Sequence, residues 1–287
     1  MNFVKALILG LIAGVTDIFP VSATGNVTLF SNIMKIEGEI DLLFLIALHI
    51  GTMIAVIITY RQAFSRCFYE FFSLIGDVVF NIKMLFTGKN DQHRKLITNT
   101  YRKIVALALV SMIPTVVIGF FVAILSETLV GNLLGSGIGM LVSALLLLVA
   151  SFAGKPYKTP HAAKYFDAVL IGAFQGFSGF PGISRTGVTS SAAFLSGFSV
   201  KLTLLFTYLL SAPAVIGAYV LEAIRMKSFI SSAGITCTLL AMLASAVAGF
   251  VALKFVKALI TPKHSKYYAA YCLAIGAVSM IIYLVIK

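Results

Sequence analysis

The sequence predicts an all-α polytopic membrane protein with six transmembrane helices plus two re-entrant helical hairpins in an inverted repeat. Three observations predict it. Of 287 residues, 60% are hydrophobic and 11% charged, whereas a soluble globular domain carries about 25% charged residues; the mean hydropathy is +1.02. Six segments supply the ~20 mainly apolar residues that a crossing helix needs: 42–60, 103–125, 133–152, 202–224, 229–253 and 267–286. Finally, Gly10, Gly14, Ser22, Thr24 and Gly25 recur at one constant offset as Gly172, Gly176, Ser184, Thr186 and Gly187. Three spans follow each copy. If each copy dips in and turns back, three crossings give the halves opposite orientation, the usual architecture of secondary transporters. The chain then forms a single membrane domain, residues 1–287, made of repeats at about 1–153 and 162–287.

Taken in order, residues 3–34 lack an A-x-A-like cleavage site and belong to the mature fold. Their Gly, Pro and hydroxyl residues would interrupt a long helix, and such interruptions are tolerated at membrane depth only where backbone lines a protein-enclosed cavity. The first span follows. Residues 61–103 carry Phe68, Phe71, Phe72, Ile75, Val79, Phe80 and Ile82 at helical spacing beside cations, which predicts an amphipathic helix at the cytoplasmic interface. Glu70, Asp77, Asn81 and Lys83 would be expensive in lipid, arguing against a seventh span. Around the third span, Gly131, Gly135 and Gly139 suit close helix packing, within the fold or between protomers of a homodimer. Residues 165–198 form the second hairpin, and three spans complete the chain.

With both hairpins re-entrant, the loops 61–103, 154–166 and 254–266 fall on one side and hold eight, three and four of the 22 basic residues. Glu37, Glu39, Asp41, Glu127 and Glu222 fall on the other. This asymmetry puts the basic loops in the cytoplasm of a bacterial inner membrane and opens the first hairpin to the outer face. It also accounts for the net charge of +12 without nucleic acid as a partner, since the charges sit between apolar spans rather than on one face. Cys67, Cys237 and Cys272 lack the spacing of a zinc or redox motif and read as apolar filler.

Candidate chemistry centres on the repeated segments. Arg185 is the one guanidinium or ammonium in the second, and a charge held at membrane depth marks a site with a partner. Its planar fork matches phosphate oxygens, Ser184, Thr186 and Thr189 add donors, and a helix starting after Ser184 would aim free N–H groups at the anion. The first segment supplies Thr16, Asp17, Ser22, Thr24, Asn26 and Thr28. Asp17, its sole carboxylate, suits three roles: ligand of a divalent cation, base, or partner of Arg185. Ser22 and Thr24 also suit helix N-caps.

The segments Thr16-Asp-Ile-Phe-Pro-Val-Ser-Ala-Thr-Gly25 and Pro181-Gly-Ile-Ser-Arg-Thr-Gly187 resemble the two signatures of the bacterial undecaprenyl-pyrophosphate phosphatases, or bacitracin-resistance proteins. Residues 48–56, Ile113-Pro114 and Ser211-Ala-Pro213 extend the resemblance over nearly the whole chain. It implies a pocket open to the outer face, where a polyprenyl (C55) pyrophosphate loses its terminal phosphate with the help of a divalent metal, Mg or Ca. It further implies catalytic roles for Asp17, Arg185, Ser22 and Thr24, with Asp17 holding the metal. Phosphate binding falls to Ser184, Arg185, Thr186, Thr189 and Thr24, and accessory roles to His49, Asn26 and Gln175. The first segment departs from the family pattern: Ala13 and Asp17 stand where the family has Glu, Ala23 where it has Ser, and Asn26 where it has His. The second agrees. Phosphate recognition is thus retained better than hydrolysis, which leaves two alternatives: a polyprenyl-phosphate transporter (flippase) without catalysis, and a carrier of small anions.

Overall fold

The computed structural model describes residues 1–36, 41–88, 90–225 and 234–286. Helix α1 (Phe3–Ile18) starts under Asn2, whose side chain accepts from the Lys5 N–H at 2.9 Å, and stops where Phe19 turns extended ahead of Pro20. After three residues the Ser22 hydroxyl accepts from the Gly25 N–H at 3.1 Å and caps α2 (Ala23–Ile33). At about 1.5 Å per residue neither helix covers the roughly 30 Å of a bilayer core, and the two pack on each other. The second copy repeats the device. Helix α7 (Tyr165–Gly176) runs into a 3₁₀ turn, Phe177–Gly179, and then Ser184 caps α8 (Arg185–Leu195) by accepting from the Gly187 N–H at 3.0 Å.

Among the described residues, six further helices are long and apolar enough to cross a membrane: α3 (Leu42–Thr59), α5 (Thr100–Leu125), α6 (Leu133–Ser151), α9 (Val200–Arg225), α10 (Ile235–Leu253) and α12 (Pro262–Ile286), with the short α11 (Val256–Leu259) before the last. The expected spans are all present. Helices α5 and α12 begin earlier than hydropathy alone indicates, because their first turns carry Lys, Arg and Tyr that an apolar window excludes. Residue 229, the expected start of one span, lies outside the described residues, as do Glu37, Glu39 and the side chain of Glu222.

The repeated glycines earn their place in the packing rather than in the chain breaks. Helix α1 lies on α10 and α7 lies on α5, so each hairpin packs on a span from the other half of the chain. At these crossings a Cβ on Gly10 or Gly14 would run into the α10 backbone at Ala241 and Ser245, and one on Gly172 or Gly176 into α5 at Ser111 and Ile118. Backbones thus approach as closely as two helices can. Gly51 of α3 meets the α10 carbonyl of Met242 in the same way, so α10 gathers α1 and α3 together. Gly135 and Gly139 serve inside the fold, against Leu129 and the Pro181–Gly182 backbone.

Residues 61–103 contain the expected helix, α4 (Arg61–Phe86), which follows α3 almost without interruption and lies outside the six candidate spans. Phe68, Phe72, Ile75, Val79 and Ile82 are exposed on it. Its acids are paired rather than stranded. Arg102, at the start of α5, donates from Nε to Glu70 at 2.9 Å and from Nη1 to Asp77 at 2.6 Å, and also bonds Ser73. Arg94 adds a bond to Asp77 at 3.1 Å. Hydrogen bonds from Arg94 and Arg102 hold the Asp77 carboxyl below its ordinary pKa.

Candidate functional site

The two chain breaks meet, and hydroxyls at equivalent positions of the repeat tie them together. Thr24 Oγ1 accepts from the Gly182 N–H at 3.1 Å, while Thr186 Oγ1 donates to the Asp17 carbonyl at 2.7 Å. Gly182 has φ +83°, a left-handed conformation that turns its N–H into this contact and that glycine adopts without strain. Tyr208 of α9 donates to the Ile18 carbonyl at 3.2 Å, and the Ser184 N–H donates to Ser143 Oγ of α6 at 2.8 Å. The breaks are therefore fixed against each other and against the spans.

Between them lies a cavity of about 120 Å³. Its polar wall is Asp17, Thr24, Thr28, His49, Ser178, Ser184 and Arg185; Leu42, Leu45, Ile46 and Phe180 supply apolar wall. The N-termini of α2 and α8 both begin here, where Ala23, Thr24, Ser184 and Arg185 line the space, and helix N-termini favour anions. Asp17 does not pair with Arg185. Its Oδ2 lies 3.0 Å from His49 Nδ1, a short contact that is poorly aligned for a hydrogen bond, and accepts from the Thr52 hydroxyl. Among the described residues no carboxylate lies within 4.0 Å of the Arg185 guanidinium. A guanidinium with no carboxylate in direct contact, at a partly open cavity with a polar wall, is arranged to take an anion.

Several other residues singled out in the sequence do not line the cavity. Ser22 is a buried cap. Thr186 is spent on the tie to Asp17, and Thr189 and Gln175 face the interior, where Gln175 Nε2 donates to the Leu210 carbonyl at 3.1 Å and Thr189 to Gln175 Oε1 at 3.4 Å. Thr186, Thr189 and Gln175 make these bonds and do not line the cavity. Asn26 is likewise turned away from the cavity, fully buried, and accepts from Tyr271 at 2.5 Å. Ala13 sits in an apolar cluster with Phe44 and Leu48, whereas Ala23 lines the cavity. Two contributors escaped sequence reasoning. Ser178 lines the cavity and Thr52 holds Asp17; a hydroxyl one turn after His49 was the available signal for Thr52.

For a divalent ion the donor set is lean. Among the described residues no three His, Cys, Asp or Glu side chains gather into an all-protein cage. One carboxylate at the wall of an anion-sized cavity nonetheless suits Mg, which is commonly held by one or two carboxylates together with substrate phosphates.

Comparison with known proteins decides the family. The model of the bacitracin resistance protein BacA family matches residues 6–278. The chain belongs to the BacA family. Its relatives there include the undecaprenyl-diphosphatase of Alkaliphilus metalliredigens, 31% identical over 280 residues that cover 97% of this chain and 98% of the relative. The undecaprenyl-diphosphatase of Methanosphaera stadtmanae is 28% identical over 286 residues, the full length of both chains. Undecaprenyl-diphosphatase 3 of Bacillus cereus is 29% identical over 277 residues, 96% of this chain and 95% of the relative. This BacA-family chain is thus similar end to end to proteins of that name.

Proposed function

We propose that the chain hydrolyses undecaprenyl pyrophosphate to undecaprenyl phosphate and inorganic phosphate, recycling the lipid carrier of cell-wall synthesis. The observation that carries this reading is Arg185, with no carboxylate in direct contact, beside an Asp17–His49 pair at one cavity. Arg185, the Thr24 hydroxyl and the N-termini of α2 and α8 grip the terminal phosphate and stabilise charge on its oxygens. Asp17 faces His49 Nδ1 and leaves Nε2 to take a proton from a water. That water attacks the terminal phosphorus, the bond to the bridging oxygen breaks, and the electron pair leaves on the lipid phosphate. A divalent ion, Mg or Ca, held by Asp17 and the diphosphate oxygens would neutralise charge on the phosphates when bound. The small cavity suits the headgroup alone, with the C55 chain outside in lipid.

The same reading places the protein in a bacterial inner membrane with its halves inverted, the basic loops cytoplasmic and the first hairpin open to the outer face; the loop-charge asymmetry supports it. Phosphate release from C15 or C55 pyrophosphate by purified, metal-supplied protein tests the activity. Release lost in Arg185→Ala, Asp17→Ala and His49→Ala is expected. Headgroup movement across vesicles without phosphate release would refute it in favour of a transporter.

A further inference from the structure

Asp17 and Arg185 present opposite charges to one small cavity, yet they do not pair. Opposite charges in a poorly solvated site attract, so something must hold the carboxylate back. Two groups of α3 do. His49 Nδ1 lies 3.0 Å from Asp17 Oδ2, and the Thr52 hydroxyl donates to that same oxygen. Thr52 is 1% exposed and does not line the cavity, so any influence on a bound ligand passes through Asp17. Its hydroxyl has a second acceptor in reach, the His49 carbonyl at 2.9 Å, but only one proton to give, and the carboxylate is the stronger acceptor.

The packing seam supports the arrangement. Gly14, three residues before Asp17, and Gly51, beside Thr52, both press against the α10 backbone, and Ser245 of α10 donates to the Leu48 carbonyl at 2.9 Å. Helices α1 and α3 are thereby fixed at the distance a threonine hydroxyl spans.

We propose that Thr52 is a positioning residue: it holds the Asp17 carboxylate on the α3 side of the cavity and so keeps Arg185 unneutralised for a diphosphate headgroup. The inference rests on the functional reading above, and a double-substitution experiment separates the two. The probe is farnesyl diphosphate, its affinity measured by calorimetry on the full chain in detergent with a chelator present, so that Asp17 acts through its charge alone. Thr52→Val removes the hydroxyl and keeps the shape; the freed carboxylate swings to Arg185 and binding weakens by about tenfold or more. Thr52→Ser keeps the hydroxyl and binds as the native chain does. The deciding variant is Thr52→Val combined with Asp17→Ala, in which no carboxylate remains to occupy Arg185. Binding should return to at least the native affinity, although turnover does not. A merely structural role for Thr52 gives no such recovery, and equal weakness in the single and double variants overturns the proposal. Native affinity in Thr52→Val overturns it as well. If the native chain itself does not bind the probe, the headgroup reading fails instead.

Discussion

Gly51→Ala adds one methyl group at the point where α3 touches α10. The new Cβ would run into the Met242 carbonyl oxygen and lie 3.1 Å from both the Met242 carbonyl carbon and the Ser245 Cβ. The obstacle is backbone and cannot rotate away, so α3 must retreat by an amount on the order of 1 Å. Overpacking of this kind costs about 1–3 kcal/mol, a visible loss in a thermal melt that leaves the fold intact. The larger effect is on chemistry. His49 and Thr52 flank Gly51 and both face Asp17 across the seam, and a misplacement of about 1 Å at a reacting site can cost about 10²-fold in rate. Gly76→Ala is the matched control: nothing lies within 4 Å of its would-be Cβ, and alanine for glycine in an exposed helix stabilises by roughly 0.5–1 kcal/mol. Melting curves and phosphate release are measured on both variants in the same detergent. If Gly51→Ala behaves like Gly76→Ala in stability and rate, the close crossing does not position the site and the reasoning is refuted.

Arg185→Lys should lower kcat/KM sharply, because an ammonium cannot reproduce the planar two-point grip, and a rate near native would argue against phosphate contact there. Ala23→Ser places a hydroxyl at the cavity wall and should be tolerated, with phosphate release equal to or above native, whereas Ala13→Glu buries a carboxylate in an apolar cluster and should lower the melting temperature severely. The reverse order of stabilities would contradict the cavity boundaries. Tyr271→Phe strands the Asn26 Oδ1 acceptor and should cost about 1–3 kcal/mol of stability, read as a lower melting temperature. At the α4–α5 junction the depressed pKa of Asp77 fixes a sign: the contribution is present above the ordinary carboxylate pKa and is lost as pH falls through the depressed value. Limited proteolysis of residues 61–99 should accelerate on acidification, and Arg102→Gln should flatten that dependence.

Span existence, the paired chain breaks and the amphipathic α4 were legible because each rests on local pattern: apolar length, Gly and Pro placement, helical spacing. Arg185 and Asp17 stood out because charge at membrane depth is scarce. What sequence could not reveal was rotational phase. Ser184 and Thr186 are neighbours of equal chemistry, yet one lines the cavity and the other is spent on a backbone carbonyl; only the packing of α8 against α1 separates them. The same applies to Asp17, whose three open roles narrowed once α3 brought His49 and Thr52 beside it. Gly10, Gly14, Gly172 and Gly176 were visible as chain-breakers, but their contacts lie on partner helices more than 50 residues away.

The reciprocal ties between Thr24 and the Gly182 N–H, and between Thr186 and the Asp17 carbonyl, make each half of the chain a structural component of the other's loop. A half produced alone would leave its own break open and a polar backbone group facing hydrocarbon. Separate expression of the halves should therefore yield neither a folded hairpin nor a partial site, and any ancestor in which this unit stood alone had to close by pairing with a second copy of itself.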